Sequence, residues 1–107
     1  MAYKDKNNLL RAVYPILVLY TLLNSPKHGY EIALMLKNSE HRIEIDAFTV
    51  YRILNKLKEE GYVTEDSKRE IVNNRARTNY LITDDGHSFY KQQIDEIIMI
   101  CTMIVSL

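Results

Sequence analysis

The segment between Asp46 and Gly61 constrains the fold more than any other part of the 107-residue chain. Its apolar residues recur at the spacing of a single helix face. Asp46 is suited to cap the start of a helix, and Gly61 stands where a helix end favours a left-handed residue. The sequence therefore predicts a helix over residues 47–60. Its buried stripe is Val50, Ile53, Leu54 and Leu57, and its other faces carry Phe48, Thr49, Arg52, Asn55 and Lys56.

Two further helices are predicted before this segment. The first begins near Tyr14, with Pro15 in the first turn, where a residue has no intrahelical partner for its N–H. It is apolar over a wide arc, which predicts burial, and the sequence Asn24-Ser25-Pro26 ends it. The second, shorter helix is predicted over residues 28–38, and a polar stretch separates it from Asp46.

A hairpin and a last helix are predicted after Gly61. Residues 62–64 and 78–82 have strand character and bracket a charged segment, which is typical of a β-hairpin with a long tip. Thr83 is suited to cap the last helix, which runs to the end of the chain. The predicted fold class is therefore mainly α with a small β-hairpin (α+β), namely a winged helix-turn-helix followed by a C-terminal helix.

The last helix carries an apolar seam. Apolar side chains recur with His87 at alternating spacings of three and four residues, the pattern of an interface between helices. Further apolar residues between Ile98 and Val105 make this face broader than one intramolecular contact requires. We expect a homodimer interface here, although packing against the first helix of the same chain is an alternative. The predicted dimerisation residues are Tyr90, Ile94, Ile97, Ile98, Cys101 and Ile104.

The charges are unevenly distributed along a chain whose formal net charge is zero. Residues 84–107 contain one basic and four acidic residues, whereas residues 67–80 contain four basic residues and one acidic residue. A basic patch is the electrostatic feature expected of a protein that binds nucleic acid, although the neutral total is less typical of one. The cluster consists of Lys68, Arg69, Arg75 and Arg77.

Length and composition predict a single domain over residues 1–107. Its winged helix-turn-helix is predicted over about residues 9–83 and its dimerisation helix over about 84–107. The apolar run from Leu9 to Leu23 is too short for a spanning helix and contains Arg11 and Pro15. No secretory signal is recognisable, and Cys101 has no second cysteine to pair with. We therefore expect a cytoplasmic protein without a membrane segment.

The residue pattern gives no indication of an enzyme. His28, His41, His87 and Cys101 lack the spacing of a zinc site, and no glycine-rich phosphate loop or nucleophile motif is present. A Ser/His/Asp triad depends on tertiary geometry and is not readable from sequence. The expectation is a protein with no catalytic residues, no metal site and no cofactor.

Several segments resemble the PadR family of bacterial transcriptional regulators, in the family's order. The match begins with Leu10-Arg11 and Leu17-Val18-Leu19 and continues through 28–32 (HGYEI), 49–54 (TVYRIL) and 59–63 (EEGYV). Arg77, Tyr80, Thr83 and Gly86 fit the returning wing strand and the start of the last helix. The resemblance covers about residues 9–90 and fits the short members of the family, which have one C-terminal helix. At Ala47-Phe48 the chain departs from the proline and glycine usual in the family.

This resemblance implies that the predicted helix over residues 47–60 enters the major groove of double-stranded DNA. Thr49, Arg52 and Lys56 are then candidates to reach base edges, as is Asn55. The resemblance also implies that Tyr30 and Tyr51 donate to phosphates. The basic wing residues Lys68, Arg69, Arg75 and Arg77 would follow the DNA backbone.

Each of these assignments has a structural alternative. Tyr30 or Tyr51 would instead be a core aromatic residue with a satisfied hydroxyl group. Arg52 and Lys56 would be ordinary solvated charges, and the wing cluster a solvated loop without a partner. The family resemblance also leaves open an unidentified small-molecule effector, for which Tyr14, Tyr20, Tyr90 and Met99 are the residues to consider.

Together these features predict a sequence-specific regulator of transcription. It would bind a near-palindromic operator as a homodimer, and repression is the expected mode because it is common in the family. The alternative is a winged-helix adaptor for protein–protein or plasmid-partition assembly, because the same fold serves such roles. The operator sequence and the regulated genes are not readable from this chain.

Overall fold

The computed structural model describes residues 8–66, 70–72 and 75–106. Its helices and strands are, in chain order, α1 (Asn8–Ala12), α2 (Tyr14–Thr21), α3 (Gly29–Lys37), α4 (Ala47–Glu59), β1 (Val63–Glu65), β2 (Glu70–Val72), β3 (Arg75–Arg77), β4 (Tyr80–Ile82) and α5 (Asp84–Val105). This order confirms the predicted fold class of a mainly helical winged helix-turn-helix with a long last helix.

The predicted helix ends agree with the structure at most positions. Asp46 accepts a hydrogen bond from the Thr49 N–H at 2.7 Å and caps α4, and Thr83 accepts from the Gly86 N–H at 3.0 Å and caps α5. Gly61 has a φ angle of 84°, which is the left-handed conformation expected after α4. Two details differ: α2 ends at Thr21 rather than before Asn24, and the short α1 was not predicted because five residues carry too little periodicity.

The core lies between α2, α3 and α4. α2 contributes Val18 and Leu19, α3 contributes Ile32 and Leu36, and α4 contributes Val50, Leu54 and Leu57, all of them buried. Burial of each such aliphatic side chain contributes about 1.5–3 kcal/mol, so this cluster holds α4 firmly against α2 and α3. The packing leaves the opposite face of α4 open to solvent.

The wing is an antiparallel hairpin with two ladders. β1 pairs with β4, with Val63 opposite Ile82, and β2 pairs with β3, with Glu70 opposite Arg77. A second pair of strands thus lies within the segment that the sequence predicted to be a long tip. On its other edge, β4 exchanges backbone hydrogen bonds between Tyr80 and Lys27 at 2.8 and 3.2 Å, so an isolated antiparallel bridge ties the chain before α3 to the wing.

The first turn of α5 is seated against the corner between α4 and β1. The Thr83 N–H donates to the Tyr62 carbonyl at 3.0 Å, and the Thr83 hydroxyl donates to the Gly61 carbonyl at 2.7 Å. One turn later, the Phe89 ring stacks on the Tyr62 ring with a centroid distance of 4.2 Å. These contacts fix the direction in which α5 leaves the winged domain.

Candidate nucleic-acid interface

The outer face of α4 presents a stripe of three exposed side chains. Phe48, Arg52 and Asn55 follow one another at helical spacing, opposite the buried stripe of the same helix. The Phe48 side chain is 73% exposed, and the Arg52 guanidinium lies 5.8 Å from the centre of its ring. This stripe offers an aromatic face, a cation and an amide to a ligand in front of the helix.

Two of the predicted α4 residues flank this stripe on the side of α2. Thr49 is half-buried beside the capping carboxylate of Asp46, and it lines a cleft of about 450 Å³ with Tyr14 of α2. The exposed Lys56 ammonium lies 3.9 Å from Glu60, an ion pair of the weak surface type. Arg52 of the stripe lines the same cleft as Thr49 and a second cleft with Lys56. Both side chains therefore border the exposed stripe of α4.

Tyr51 lies on the opposite flank of α4, towards α3. It is half-buried, and its ring covers the backbone of Gly29, where an added Cβ atom would come within 2.6 Å of the ring. The absence of a side chain at Gly29 therefore lets Tyr51 pack at the junction of the two helices. Of the two predicted alternatives for Tyr51, the structure shows partial burial against the core, with part of the residue accessible.

Tyr30 and Arg77 connect α3 to the wing. The Tyr30 side chain is 53% exposed, so the alternative of a buried core aromatic residue is wrong for this position. The Arg77 guanidinium of β3 lies 5.4 Å from the centre of the Tyr30 ring, within the range of a cation–π contact. A wing cation and a phenol of α3 thus share one surface, and Tyr51 packs on Gly29, the residue before Tyr30.

The remaining predicted wing residues differ in how far they can be placed. Arg75 belongs to β3, and its backbone pairs with Val72 of β2. Lys68 and Arg69 lie outside the described residues. At the base of the wing, Tyr80 is buried, and this burial, with a smaller effect of the Glu65 carboxylate, raises the pKa of its hydroxyl group.

The described residues bring some of the predicted DNA-contacting side chains together. Arg77 lies over Tyr30, and Arg52 shares one cleft with Thr49 and another with Lys56. Asn55 is exposed on the same helix as Arg52, whereas Tyr51 packs on Gly29 of α3. Sequence reasoning missed two contributors, Gly29 and Phe48. The glycine at the start of a predicted helix was a usable signal for a close approach of another side chain, whereas the Arg52–Phe48 stacking was signalled only by their spacing of four residues.

The predicted dimerisation residues divide along α5. Tyr90, Ile94 and Ile97 are half-buried, and Tyr90 packs partly against the core of its own chain. Beyond them, every described residue from Ile98 to Ser106 is exposed. The alternative of complete burial against the first helix is therefore wrong, since Met103 and Ile104 remain 66% and 63% exposed.

Comparison with known families agrees with this architecture. Residues 18–92 match the family model described as the transcriptional regulator PadR-like family. The chain belongs to this family. No curated protein matches this PadR-like chain significantly.

Solved structures of other proteins share the fold of this PadR-like protein. A transcriptional regulator from Clostridium thermocellum superposes with a TM-score of 0.81 at 24% identity, over 94% of this chain and 97% of the other. A PadR family regulator from Eggerthella lenta gives 0.78 at 25% identity, over 90% and 81%. Bacillus subtilis PadR, solved in complex with operator DNA, gives 0.67 at 22% identity, over 89% and 61%.

Neither a membrane-spanning helix nor a metal-binding cluster is found among the described residues. None of their helices is both long and apolar enough to cross a membrane. Within the same ranges, no cluster of three or more His, Cys, Asp or Glu residues is arranged to hold a metal ion.

Of the residues predicted as candidates for effector binding, Tyr14 lines the cleft beside Thr49, whereas Tyr20 and Met99 are 52% and 59% exposed.

Proposed function

We propose that this PadR-like protein binds a near-palindromic operator in double-stranded DNA as a homodimer and represses transcription from it. Residues 1–107 then act as one unit, with a winged helix-turn-helix over about 9–83 and a dimerisation helix over about 84–107. α4 would lie in the major groove, where its exposed side chains reach base edges. The wing would follow the adjacent backbone and fix the orientation of the domain.

The observation that carries this proposal is the junction of α3, α4 and the wing. There the Arg77 guanidinium lies over the Tyr30 ring, and the half-buried Tyr51 packs on Gly29, the residue before Tyr30. Arginine side chains and tyrosine hydroxyl groups are common donors to phosphate oxygens. We infer that these three side chains, which belong to separate segments, contact one stretch of DNA backbone while α4 reads the groove.

The exposed apolar end of α5 supports the homodimer. Ile98, Met99, Met103, Ile104 and Val105 are each more than half exposed in the single chain. A contiguous apolar patch of this kind marks an interaction site in a soluble protein. In a two-fold dimer through this surface, the two α4 helices would contact half-sites about 34–36 Å apart, which makes the operator a near-palindrome.

The first experiment is a binding titration on the DNA upstream of the gene, compared with a scrambled duplex over a salt series. We expect tighter binding to the native duplex and a steep dependence on salt. Roughly six to ten phosphate contacts would lower the affinity by ~10³–10⁵ between about 50 and 200 mM salt. A transcription assay on the bound promoter then tests repression.

Charge-removing variants test the proposed surface. We expect Arg77→Ala to weaken binding to all sequences and to reduce the salt slope by about one phosphate contact. Arg52→Ala should instead relax sequence preference, because base contacts carry the specificity. Lys91→Ala, which removes an exposed charge from α5, is the matched control and should bind as the wild type does. Equal loss in all three variants would contradict the assigned surface.

The binding pattern also separates this function from its alternatives. A discrete complex of one dimer on one palindrome supports a regulator of the proposed kind. Cooperative coating of repeated sites would favour a partition adaptor, and no binding at low salt would favour a module for protein contacts. Either of the last two results would overturn the proposal.

A further inference from the structure

The exposed stripe of α4 contains one residue to which the proposed function assigns no role. Phe48 lies in the first turn of the helix, and its side chain is 73% exposed although it is strongly apolar. The N-terminal residues of a recognition helix are the ones that reach base edges in the major groove. An apolar ring at this position therefore faces the part of DNA that α4 would approach most closely.

The major groove offers one apolar feature to such a ring. The C5-methyl group of thymine projects into the groove, and contact with phenylalanine is one of the ways in which proteins read it. Burial of a methyl-sized group contributes about 0.8 kcal/mol. An exposed Phe48 is thus suited to favour thymine over the other bases, none of which carries that group.

Arg52 follows Phe48 by one helical turn and lies against its ring. The distance of 5.8 Å from guanidinium to ring centre is within the range of a cation–π contact. Stacking on a ring face leaves the guanidinium edge free to donate, and it restricts an otherwise flexible side chain. Bidentate donation from arginine to O6 and N7 of guanine is the commonest specific contact in the major groove.

From this geometry we propose that Phe48 and Arg52 act as one stacked reading unit for a thymine and a guanine in each operator half-site. The inference rests on the proposed function. Base pairs follow each other at about 3.4 Å, so two groups 5.8 Å apart reach positions no more than two base pairs apart. Phe48 contacts the thymine methyl group, and it also positions Arg52 for guanine.

The test begins with the preferred site of the full-length protein, obtained by selection from random duplexes. Each thymine of the half-site is then replaced by deoxyuridine, which removes only the C5-methyl group. For the wild type we expect one position at which the replacement weakens binding about 4-fold per half-site, the factor that corresponds to one buried methyl-sized group. For Phe48→Ala we expect no change at that position.

Two further variants separate the roles of the pair. Phe48→Leu keeps an apolar contact but loses the ring, so it should retain the preference for thymine over deoxyuridine and lose part of the preference for guanine. Replacing the neighbouring guanine by 7-deazaguanine, which lacks the N7 acceptor, should weaken the wild type but not Arg52→Ala. Asn55→Ala, on the same stripe but two helical turns after Phe48, should keep the deoxyuridine effect.

The outcomes distinguish this inference from the proposed function. A selected site at which the wild type and Phe48→Ala respond equally to deoxyuridine at every position would overturn the role of Phe48 and leave the operator-binding function intact. A change in oligomeric state for Phe48→Ala would also overturn it, because Phe48 would then belong to an interface between chains. A selection without any preferred sequence would overturn both.

Discussion

Gly86 is the position at which a single added methyl group should disturb this protein most. It lies in the first turn of α5 and is buried against the corner between α4 and β1. A Cβ atom at this position would lie 2.1 Å from the carbonyl oxygen of Tyr62 and 2.8 Å from Cγ1 of Ile82. Because the closer of these two atoms belongs to the backbone, no change of rotamer relieves the overlap.

The cost of Gly86→Ala follows from these distances. Contacts below 3.0 Å are not tolerated, so α5 and the Tyr62 backbone must move apart by at least 0.9 Å, the difference between 3.0 and 2.1 Å. A movement of that size stretches the 2.7 Å hydrogen bond from the Thr83 hydroxyl to Gly61 beyond its useful range. Overpacking costs about 1–3 kcal/mol and the lost hydrogen bond about 1 kcal/mol, against a gain of about 1 kcal/mol for alanine over glycine in a helix. We expect a net loss of about 1–3 kcal/mol.

The assay is urea unfolding at one fixed protein concentration, because association makes the apparent stability depend on concentration. Ser88→Ala is the matched control: it lies in the same helix, is exposed, and should change the free energy of unfolding by less than about 0.5 kcal/mol. Since α5 also carries the proposed dimer surface, Gly86→Ala should weaken operator binding more than its loss of stability explains. A variant as stable as the wild type, or more stable, would refute the reasoning.

Three further predictions concern α4 and α5. Gly61→Ala should lower the free energy of unfolding by about 1–2 kcal/mol in urea titrations, because the φ angle of 84° is strained for alanine. Space is free around the added Cβ atom, so the backbone strain is the only cost. Gly61→Asn should lower the free energy of unfolding by less, because asparagine tolerates this conformation better. The hydrogen bond from the Thr49 N–H lowers the pKa of Asp46 below 3.8. The cap therefore stabilises the fold above that pH, and this stabilisation is lost as the pH falls through the lowered pKa. In thermal unfolding between pH 5 and 2, the stability of Asp46→Asn should lack this pH dependence. Ile104→Glu should shift the protein from dimer to monomer in sedimentation velocity and weaken operator binding, whereas a dimeric Ile104→Glu protein would place the interface elsewhere.

Much of the candidate site could be predicted because α4 is specified locally. Its apolar period, its cap at Asp46 and its left-handed residue at Gly61 act within a few residues of one another, and each is found in the structure. The same holds for the cap of α5 at Thr83. Once the buried face of such a helix is known, the exposed face that carries Arg52 and Asn55 follows from helical geometry alone.

The wing and its connections were less predictable. Strand character was visible around Val63 and Tyr80, but the second ladder through Arg77 was not, because strand pairing depends on a partner that no local pattern names. The exposure of Tyr30 was likewise undecided by sequence. It depends on where the wing lies relative to α3, which a periodicity within α3 cannot specify.

The sequence by itself thus determined the order and ends of most helices and the outer face of α4. It also determined that the apolar face of the last helix is broader than one intramolecular contact requires. The tertiary structure alone decided which distant residues meet: Tyr51 over Gly29, Arg77 over Tyr30, and Phe89 on Tyr62. The physical reason is the range of the interactions. Capping and helical periodicity operate over three or four residues, whereas these contacts join separate segments, and they form only after the core has fixed the helices and the wing in place.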